Sequence, residues 1–256
     1  MVSRGRFPVK SLLAAIRFLT RIPVPAGGLT EREIGRSAAF FPVVGVLLGG
    51  FLLGLYRLFG LSFPVPFARI LVLASLVAVS GAFHLDGLAD AVDGLYGGRD
   101  RDDALRIMRD PHIGAMGAIV VVMVLLLKTA AAVSLSEEAF RGGLLVMPVA
   151  GRGAMVAALL LPYARAEGLG RAFARHHSRA DSIVATIMIF GAAFYVLGPA
   201  GLWALLGSLA AAGVVLWITW RRIRGVTGDV CGAVNEVVEC VFLMVLLASW
   251  SPFPVP

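Results

Sequence analysis

Long apolar runs alternate with short polar segments along almost the whole chain. Each run has about the 17–25 residues that an α-helix needs to cross the hydrocarbon core of a bilayer. The pattern therefore predicts an all-α, polytopic integral membrane bundle of about seven transmembrane helices. The predicted spans are residues 37–60, 67–85, 113–135, 138–162, 182–198, 199–219 and 230–250. Because only Gly198 and Pro199 separate the fifth span from the sixth, these two are expected to form a tight helical hairpin.

The N-terminal segment has a shorter apolar pattern, which basic residues interrupt. Its apolar positions follow helical spacing, and its basic residues share a different face. The apolar positions are Val9, Leu12, Leu13, Ile16 and Leu19, and the basic ones are Lys10, Arg17 and Arg21. This pattern predicts an amphipathic helix that lies at the membrane interface. A cleaved signal peptide is the less favoured alternative, because Arg17 interrupts its apolar run.

Composition strengthens the membrane interpretation. Apolar residues make up 59% of the chain, charged residues 15%, and the mean hydropathy is +0.87. A soluble domain carries about a quarter charged residues. No repeat or long polar linker divides the chain, so residues 1–256 are expected to form one domain. Residues 1–36 would be its cytoplasmic or interfacial segment and residues 37–256 its transmembrane bundle. Small side chains in residues 204–213 would permit close helix contacts, and hence a homo-oligomer.

The distribution of positive charge predicts an orientation. The net charge of +7 could suggest a nucleic-acid partner, but the basic residues lie in short loops between apolar runs. With the N-terminus in the cytoplasm, 18 of the 23 lysines and arginines face the cytoplasm. The others are Arg57, Arg69, Lys128 and Arg141 on the opposite side, and Arg152 inside a span. This asymmetry predicts a multi-pass protein of the bacterial inner membrane, with the lipid bilayer rather than nucleic acid as its partner. Any active site would face the cytoplasm.

Three aspartates form the most informative motif of the chain. Asp86, Asp90 and Asp93 are spaced i, i+4 and i+7, so on an α-helix they share one stripe. Carboxylates stacked in this way repel one another unless a cation neutralises them. Oxygen ligands of this kind suit Mg²⁺ or Mn²⁺ better than Zn²⁺. The neighbouring Gly87 and Gly94 leave room for a ligand or another backbone to come close.

Charged groups elsewhere could complete such a site. Downstream, Arg99 and Arg109 offer guanidinium groups that match phosphate oxygens, and Asp110 is next to Arg109. A second acidic group comprises Asp229, Asn235, Glu236 and Glu239 at the start of the last predicted span. These carboxylates either complete a metal site or pair with basic residues such as Arg152, and the first alternative is favoured. Arg152 itself needs a counter-charge or a phosphate.

These residues resemble a known family, cobalamin 5′-phosphate synthase (adenosylcobinamide-GDP ribazoletransferase). The resemblance rests first on residues 84–94 (HLDGLADAVDG), then on residues 107–110 (IMRD) and 113–114 (IG). Similar stretches occur at residues 18–25, 41–45, 161–165 and 225–229. It implies a Mg²⁺-dependent membrane transferase. The ribose 3′-hydroxyl of α-ribazole, or of its 5′-phosphate, attacks the cobinamide-side phosphate of adenosylcobinamide-GDP. GMP leaves, and adenosylcobalamin or its 5′-phosphate forms.

The resemblance also suggests a role for each candidate residue. Asp86, Asp90 and Asp93 would hold Mg²⁺ on the pyrophosphate. Asp229 and Glu236 would complete the coordination or accept the proton of the attacking hydroxyl. The remaining candidates would bind substrate, and the arginines among them would clamp its phosphates. These substrate-binding candidates are Arg99, Arg109, Asp110, Arg152 and Asn235.

Two other function classes were compared with this interpretation. A CDP-alcohol phosphotransferase also uses aspartates of a membrane helix to displace a nucleotide. Asp90, Asp93 and Gly94 match the start of its motif, but Gly97 and Gly98 replace its Ala-Arg and the later aspartates are not at its spacing. A cation-coupled transporter would need charged residues at the bilayer midplane in broken helices. The acidic motif lies instead at a predicted cytoplasmic edge, which disfavours transport.

Overall fold

The protein is a bundle of α-helices without β-strands throughout the part that the structure describes. This computed structural model describes residues 7–25, 27–168 and 170–250. Its helices are α1 (Phe7–Leu19), α2 (Glu31–Arg36), α3 (Phe41–Phe59), α4 (Val65–Ser80), α5 (Phe83–Gly97), α6 (Arg101–Ile107), α7 (Ala115–Ser134), α8 (Glu137–Ala158), α9 (Gly170–His176), α10 (Arg179–Ile223) and α11 (Gly228–Trp250). A short 3₁₀ turn, Ser37–Phe40, links α2 to α3. The predicted all-α class is confirmed.

Several helices have the length and composition of membrane spans. Among the described residues, four stretches qualify, namely Glu31–Phe59, Ala115–Ser134, Arg179–Ile223 and Gly228–Trp250. The bent pair α4–α5 makes a fifth if it counts as one span. The chain is therefore a multi-pass membrane protein, whereas the count of seven stays a prediction. The predicted N-terminal helix is present as α1, with Ala15 and Leu19 buried against the bundle. Residues 1–6 of that segment lie outside the described residues.

Helix α8 lies at the centre of the bundle, against α3, α10 and α11. Its close packing depends on small residues. A Cβ on Gly45 of α3 would lie 2.6 Å from the Cα of Val149, and one on Gly49 would lie 2.8 Å from the carbonyl oxygen of Leu145. Van der Waals contact between backbones replaces the hydrophobic effect as the force that joins helices in lipid. Glycine at these positions therefore sets the distance between α3 and α8.

The second predicted span, residues 67–85, is wrong at its C-terminal end. Helix α4 stops at Ser80, and α5 begins at Phe83 with a bend of 81° between them. The N–H groups of Gly81 and Ala82 bond to the carbonyls of Ala78 and Val77, as in a Schellman motif. Gly81 and Ala82 both have left-handed backbones, with φ of 64° and 57°. The three aspartates therefore lie on α5, beyond the bend, and not on a continuation of α4.

The predicted reversal of the chain at Gly198 occurs inside α10. Gly198 has φ 58° and ψ −143°, a conformation that breaks the helix and favours glycine. Beyond it, Gly201 lies so close to the carbonyl oxygen of Ala193 that a Cβ would not fit. Eight residues of straight helix would separate these two by about 12 Å along its axis. The two halves of α10 thus fold back on each other as a hairpin.

Two basic residues that the charge count placed on the outer side are buried instead. Arg69 donates hydrogen bonds to carbonyl oxygens of Ala132, Val133 and Leu135, at the end of α7, and forms an ion pair with Glu137. Lys128 lies within α7 and is 5% exposed. Neither side chain is a solvent-exposed charge of a loop, because each donates hydrogen bonds to oxygen atoms inside the bundle. A sequence count cannot distinguish such internal partners from a topological signal.

Candidate functional site

The site forms where α5 crosses α11. Two glycines allow this crossing. A Cβ on Gly87 would lie 3.0 Å from both the Cα and the carbonyl oxygen of Asp229, and one on Gly232 would lie 3.1 Å from the carbonyl oxygen of His84. The expectation that Gly87 lets another backbone come close is thereby met. The crossing brings the aspartate motif of α5 beside Asp229 at the start of α11.

Four carboxylates gather at this crossing. The charges of Asp86, Asp229 and Asp93 all act on Asp90. Asp86 is exposed and Asp90 is partly buried. Within the described ranges, the carboxylates of Asp86 and Asp90 accept no hydrogen bond and form no ion pair. Two carboxylates therefore lack partners in a repulsive setting that would favour a bound cation.

Asp93 has a different environment from the other two aspartates of its stripe. Its two carboxylate oxygens accept hydrogen bonds from the backbone N–H groups of Gly114, at 2.7 Å, and Gly117, at 2.8 Å. These N–H groups belong to the first turn of α7, whose N-cap, Gly114, has no side chain to satisfy them. Asp93 thus caps α7 from another helix. The structure does not place it beside Asp86 and Asp90 as a third free ligand.

Asp229 is held by a cation that the sequence did not single out. Arg165 donates a hydrogen bond of 2.5 Å to Asp229, and Thr227 donates a second one of 3.2 Å. The loop that carries Arg165 is fixed by a short parallel bridge between Tyr163 and Val226, in which the N–H of Ala164 bonds to the carbonyl of Val226 at 2.8 Å. This bridge attaches the loop directly to the segment that precedes Asp229.

A basic cavity of about 400 Å³ adjoins this ion pair. Its charged lining includes Arg101, Arg106, Arg109 and Arg165. Guanidinium groups in such number suit a pyrophosphate. Of the predicted phosphate ligands, Arg109 lines this cavity, whereas Arg99 and Asp110, both described by the structure, do not. Asp110 instead accepts hydrogen bonds from the backbone N–H and ring of His112, which hold the pKa of Asp110 below its usual range.

A second ionic group lies deeper in the bundle. Lys128 lies 2.7 Å from both Glu236 and Glu239, and Arg152 forms an ion pair with Glu239. All four side chains are buried. Glu236 and Glu239 therefore follow the second of the two alternatives: they pair with basic residues and do not complete the metal site. The physical reason is that carboxylates buried in a bundle require cations at contact distance.

Asn235 and His84 lie against this deep group. Both are fully or almost fully buried, at 0% and 1% exposure. Asn235 donates to Glu236 at 3.3 Å, while its carbonyl oxygen and both ring nitrogens of His84 have no partner among the described residues. The predicted substrate residues Arg152 and Asn235 are thus brought together with Glu236. They belong to the bundle interior and not to the basic cavity.

The carboxylates of the open site have the chemistry that a magnesium ion requires. Among the described residues, no three His, Cys, Asp or Glu side chains converge into a ready-made metal cage. Mg²⁺ rarely needs one, because it usually takes one or two carboxylates, several waters and the phosphates of a substrate. Asp86 and Asp90 are two unpartnered hard-oxygen donors near a basic cavity. This donor set fits Mg²⁺, with Asp229 as a neighbouring carboxylate.

Sequence reasoning missed two cations, Arg165 at the site and Lys128 in the deeper ionic group. Arg165 lies in residues 161–165, one of the stretches that carried the family resemblance, so a signal for it was present. Lys128 gave no such signal, because its partners lie 108 and 111 positions away in the chain.

A family model described as "Cobalamin-5-phosphate synthase" matches residues 11–247. The chain belongs to the cobalamin-5-phosphate synthase family. Three similar proteins carry the name adenosylcobinamide-GDP ribazoletransferase. One from Pseudomonas entomophila is 43% identical over 90% of this chain and 95% of its own. One from Pseudomonas aeruginosa is 40% identical, and one from Brevibacillus brevis 36%, each over 94% of this chain and 99% of its own. No solved structure matches this chain.

The match to the cobalamin-5-phosphate synthase family includes the whole site, because every carboxylate and arginine of the site lies within residues 11–247. The chain is therefore a transferase of cobalamin biosynthesis. The division of its charged residues into an open site and a buried cluster is a finding of the structure.

Proposed function

We propose that this protein transfers the adenosylcobinamide-phosphate group of adenosylcobinamide-GDP to the ribose 3′-hydroxyl of α-ribazole or of α-ribazole 5′-phosphate. The acceptor oxygen forms a bond to the cobinamide-side phosphorus, and the bond from that phosphorus to the GMP oxygen breaks. GMP leaves, and adenosylcobalamin or its 5′-phosphate forms. The names of the relatives support this reaction, and this chain aligns with nearly the full length of each of them.

One observation carries the proposal most directly. Two unpartnered carboxylates, Asp86 and Asp90, lie near the ion pair of Arg165 with Asp229, and Arg165 also lines the basic cavity. Displacement at a pyrophosphate builds negative charge on the phosphate oxygens, which fixed guanidinium groups stabilise. Arg109 and Arg165, which line the basic cavity, would bind these oxygens. A site with this charge pattern suits phosphoryl transfer better than a transport pathway.

Asp86 and Asp90 would hold Mg²⁺, the cofactor that we propose for this site. When bound, Mg²⁺ would neutralise charge on the pyrophosphate and orient it. Asp229 is the carboxylate placed to accept the proton of the acceptor hydroxyl, since it adjoins the same residues and is oriented by Arg165 and Thr227. Glu236, whose carboxylate is engaged by Lys128, is left out of this assignment.

The protein is proposed to lie in the bacterial inner membrane with its N-terminus and this site on the cytoplasmic side. The charge asymmetry of the loops supports this orientation. The basic cavity lies at helix ends and loops, where water-soluble nucleotides can enter, and not among the apolar spans. Residues 204–213 were expected to permit a homo-oligomer, but their small side chains Ala204, Ser208 and Ala212 are buried within the bundle and do not face a second copy.

The test uses the full chain purified into nanodiscs. It is supplied with adenosylcobinamide-GDP, α-ribazole 5′-phosphate and Mg²⁺, and both GMP and the corrinoid product are quantified. We expect equal amounts of GMP and cobalamin 5′-phosphate, and neither product with EDTA. Asp90→Asn should lose this turnover, whereas Glu138→Gln, the same change at an exposed carboxylate of α8, should retain it. Turnover of a CDP-activated lipid precursor in place of the corrinoid would contradict the proposal.

A further inference from the structure

Four phenylalanines from separate elements form one aromatic cluster beside the site. Phe18 lies at its centre, with ring centroids 5.8 Å from Phe41, 5.4 Å from Phe83 and 5.2 Å from Phe173. Phe41 and Phe173 also meet edge to face, at 5.6 Å. These residues come from α1, α3, α5 and α9, so the cluster joins elements that are distant in sequence. Phe83 is 39% exposed and keeps part of its ring accessible.

The cluster lines a cavity of about 410 Å³ that is distinct from the basic cavity. All four phenylalanines border it, together with Met155, Leu159 and Tyr163. Two charged residues, Arg109 and Arg165, line both cavities. The two cavities therefore meet at a pair of guanidinium groups, one of which is paired with Asp229.

This arrangement matches two substrates that must meet at a phosphate. An aromatic cavity that ends in two arginines suits a flat apolar base attached to a sugar phosphate, because aromatic side chains stack on the base and arginines bind the phosphate. Guanine would need a hydrogen-bonding partner for every polar group of its edge, whereas most of this lining is apolar and its other polar side chains are those of Tyr163, Glu167 and Thr227. The corrin ring of the donor is far larger than a cavity of this size.

We infer that the aromatic cavity binds the benzimidazole base of the acceptor, α-ribazole, and thereby determines which acceptor nucleotides the enzyme uses. The inference rests on the proposed function. The base lies among the phenylalanines, the ribose extends to the wall shared by the cavities, and the pyrophosphate of the donor occupies the basic cavity. Phe18, Phe83 and Phe173 are then specificity-determining residues, which no charged motif of the sequence indicates.

The test compares acceptor and donor KM values in two variants of the full chain in nanodiscs. Phe83→Ala removes a partly exposed ring from the cluster, and Phe173→Leu removes a buried ring that packs on Phe18 and Phe41 while keeping apolar volume. We expect the KM for α-ribazole 5′-phosphate to rise about tenfold or more, the scale of a lost base–aromatic stack, with the KM for adenosylcobinamide-GDP unchanged. The preference for α-ribazole over the nucleoside of unsubstituted benzimidazole should fall in parallel.

Phe63→Ala is the matched control. Phe63 is 42% exposed and also meets another ring, that of Phe67 at 5.3 Å, but it borders neither cavity. Its KM values should equal those of the unmodified protein. Calorimetric titration of α-ribazole into the protein without donor gives a readout independent of turnover, and binding should weaken only in the two cluster variants.

The outcomes separate this inference from the proposed function. Turnover by the unmodified protein together with unchanged acceptor KM and binding in both cluster variants would overturn the inference and leave the function standing. A rise in the donor KM alone would overturn it as well, since it would assign the cavity to the donor. Absence of any transfer by the unmodified protein would overturn the proposed function, and the inference with it.

Discussion

Within the aspartate motif, Asp93 has a structural role, whereas Asp90 has a proposed chemical role, and mutation can distinguish the two. In the structure Asp93 accepts two backbone hydrogen bonds from α7, whereas Asp90, three residues earlier, accepts none from described residues. Substitution of each by asparagine should therefore have opposite consequences. Asp93→Asn should destabilise the fold, and Asp90→Asn should stop transfer without destabilising the fold.

The magnitude follows from the two bonds. A hydrogen bond to a charged group contributes about 1.5–3 kcal/mol. Asparagine keeps one carbonyl oxygen, so it can serve Gly114 or Gly117 but not both, and it loses the charge that favours the N-terminus of α7. We expect Asp93→Asn to cost about 2 kcal/mol, which lowers the Tm by about 4–8 °C in a chain of this size. Asp90→Asn removes one of several like charges, so its Tm should be unchanged or higher.

The assay is thermal unfolding in nanodiscs with EDTA, at one scan rate, repeated after Mg²⁺ is added. Mg²⁺ should raise the Tm of the unmodified protein and of Asp93→Asn, but not that of Asp90→Asn, because a ligand stabilises only the state that binds it. Amide hydrogen exchange at Gly114 and Gly117 should accelerate only in Asp93→Asn. An Asp93→Asn protein of normal stability that no longer responds to Mg²⁺ would refute the capping role and make Asp93 a metal ligand.

Three further predictions concern other parts of the site. Lys128→Met should cost about 3–5 kcal/mol, since it leaves two buried carboxylates with one cation fewer, and thermal unfolding measures this loss. Arg165→Ala should lower kcat/KM for adenosylcobinamide-GDP by about a hundredfold or more, because a guanidinium group that stabilises phosphate charge is lost. Arg57→Ala, the same change at an exposed arginine, should leave kcat/KM unchanged. A normal kcat/KM in Arg165→Ala would contradict the assignment of Arg165 to the phosphate site. Gly87→Ala should reduce both activity and Tm, because its Cβ would lie 3.0 Å from the backbone of Asp229. Gly50→Ala, where a Cβ meets nothing within 4 Å, should leave activity unchanged and stability equal or higher.

The sequence predicted those features that depend on local pattern. The helical stripe of Asp86 and Asp90, the close backbone approach at Gly87 and the reversal at Gly198 all follow from spacing or from the special backbone of glycine. Each of these features lies within a few residues of its cause. The family resemblance then supplied a reaction that no spacing could supply.

The features that were missed depend on contacts between distant segments. The break after Ser80 was not visible because apolar residues continue across Gly81 to Phe83. The capping role of Asp93 depends on the N–H groups of α7, and three carboxylates on one stripe look alike in a sequence. The partners of Lys128 lie more than a hundred positions away. These roles depend on tertiary contacts, and such contacts cannot be read from the local pattern of a single sequence.

The most direct test of the proposed reaction follows the phosphate itself. Adenosylcobinamide-GDP labelled with ³²P at the cobinamide-side phosphate is given to the purified protein with α-ribazole 5′-phosphate and Mg²⁺, and the products are separated. Attack at that phosphorus predicts that all of the label enters the cobalamin product and that the released GMP is unlabelled. Label in the released nucleotide, or in free phosphate, would contradict the account.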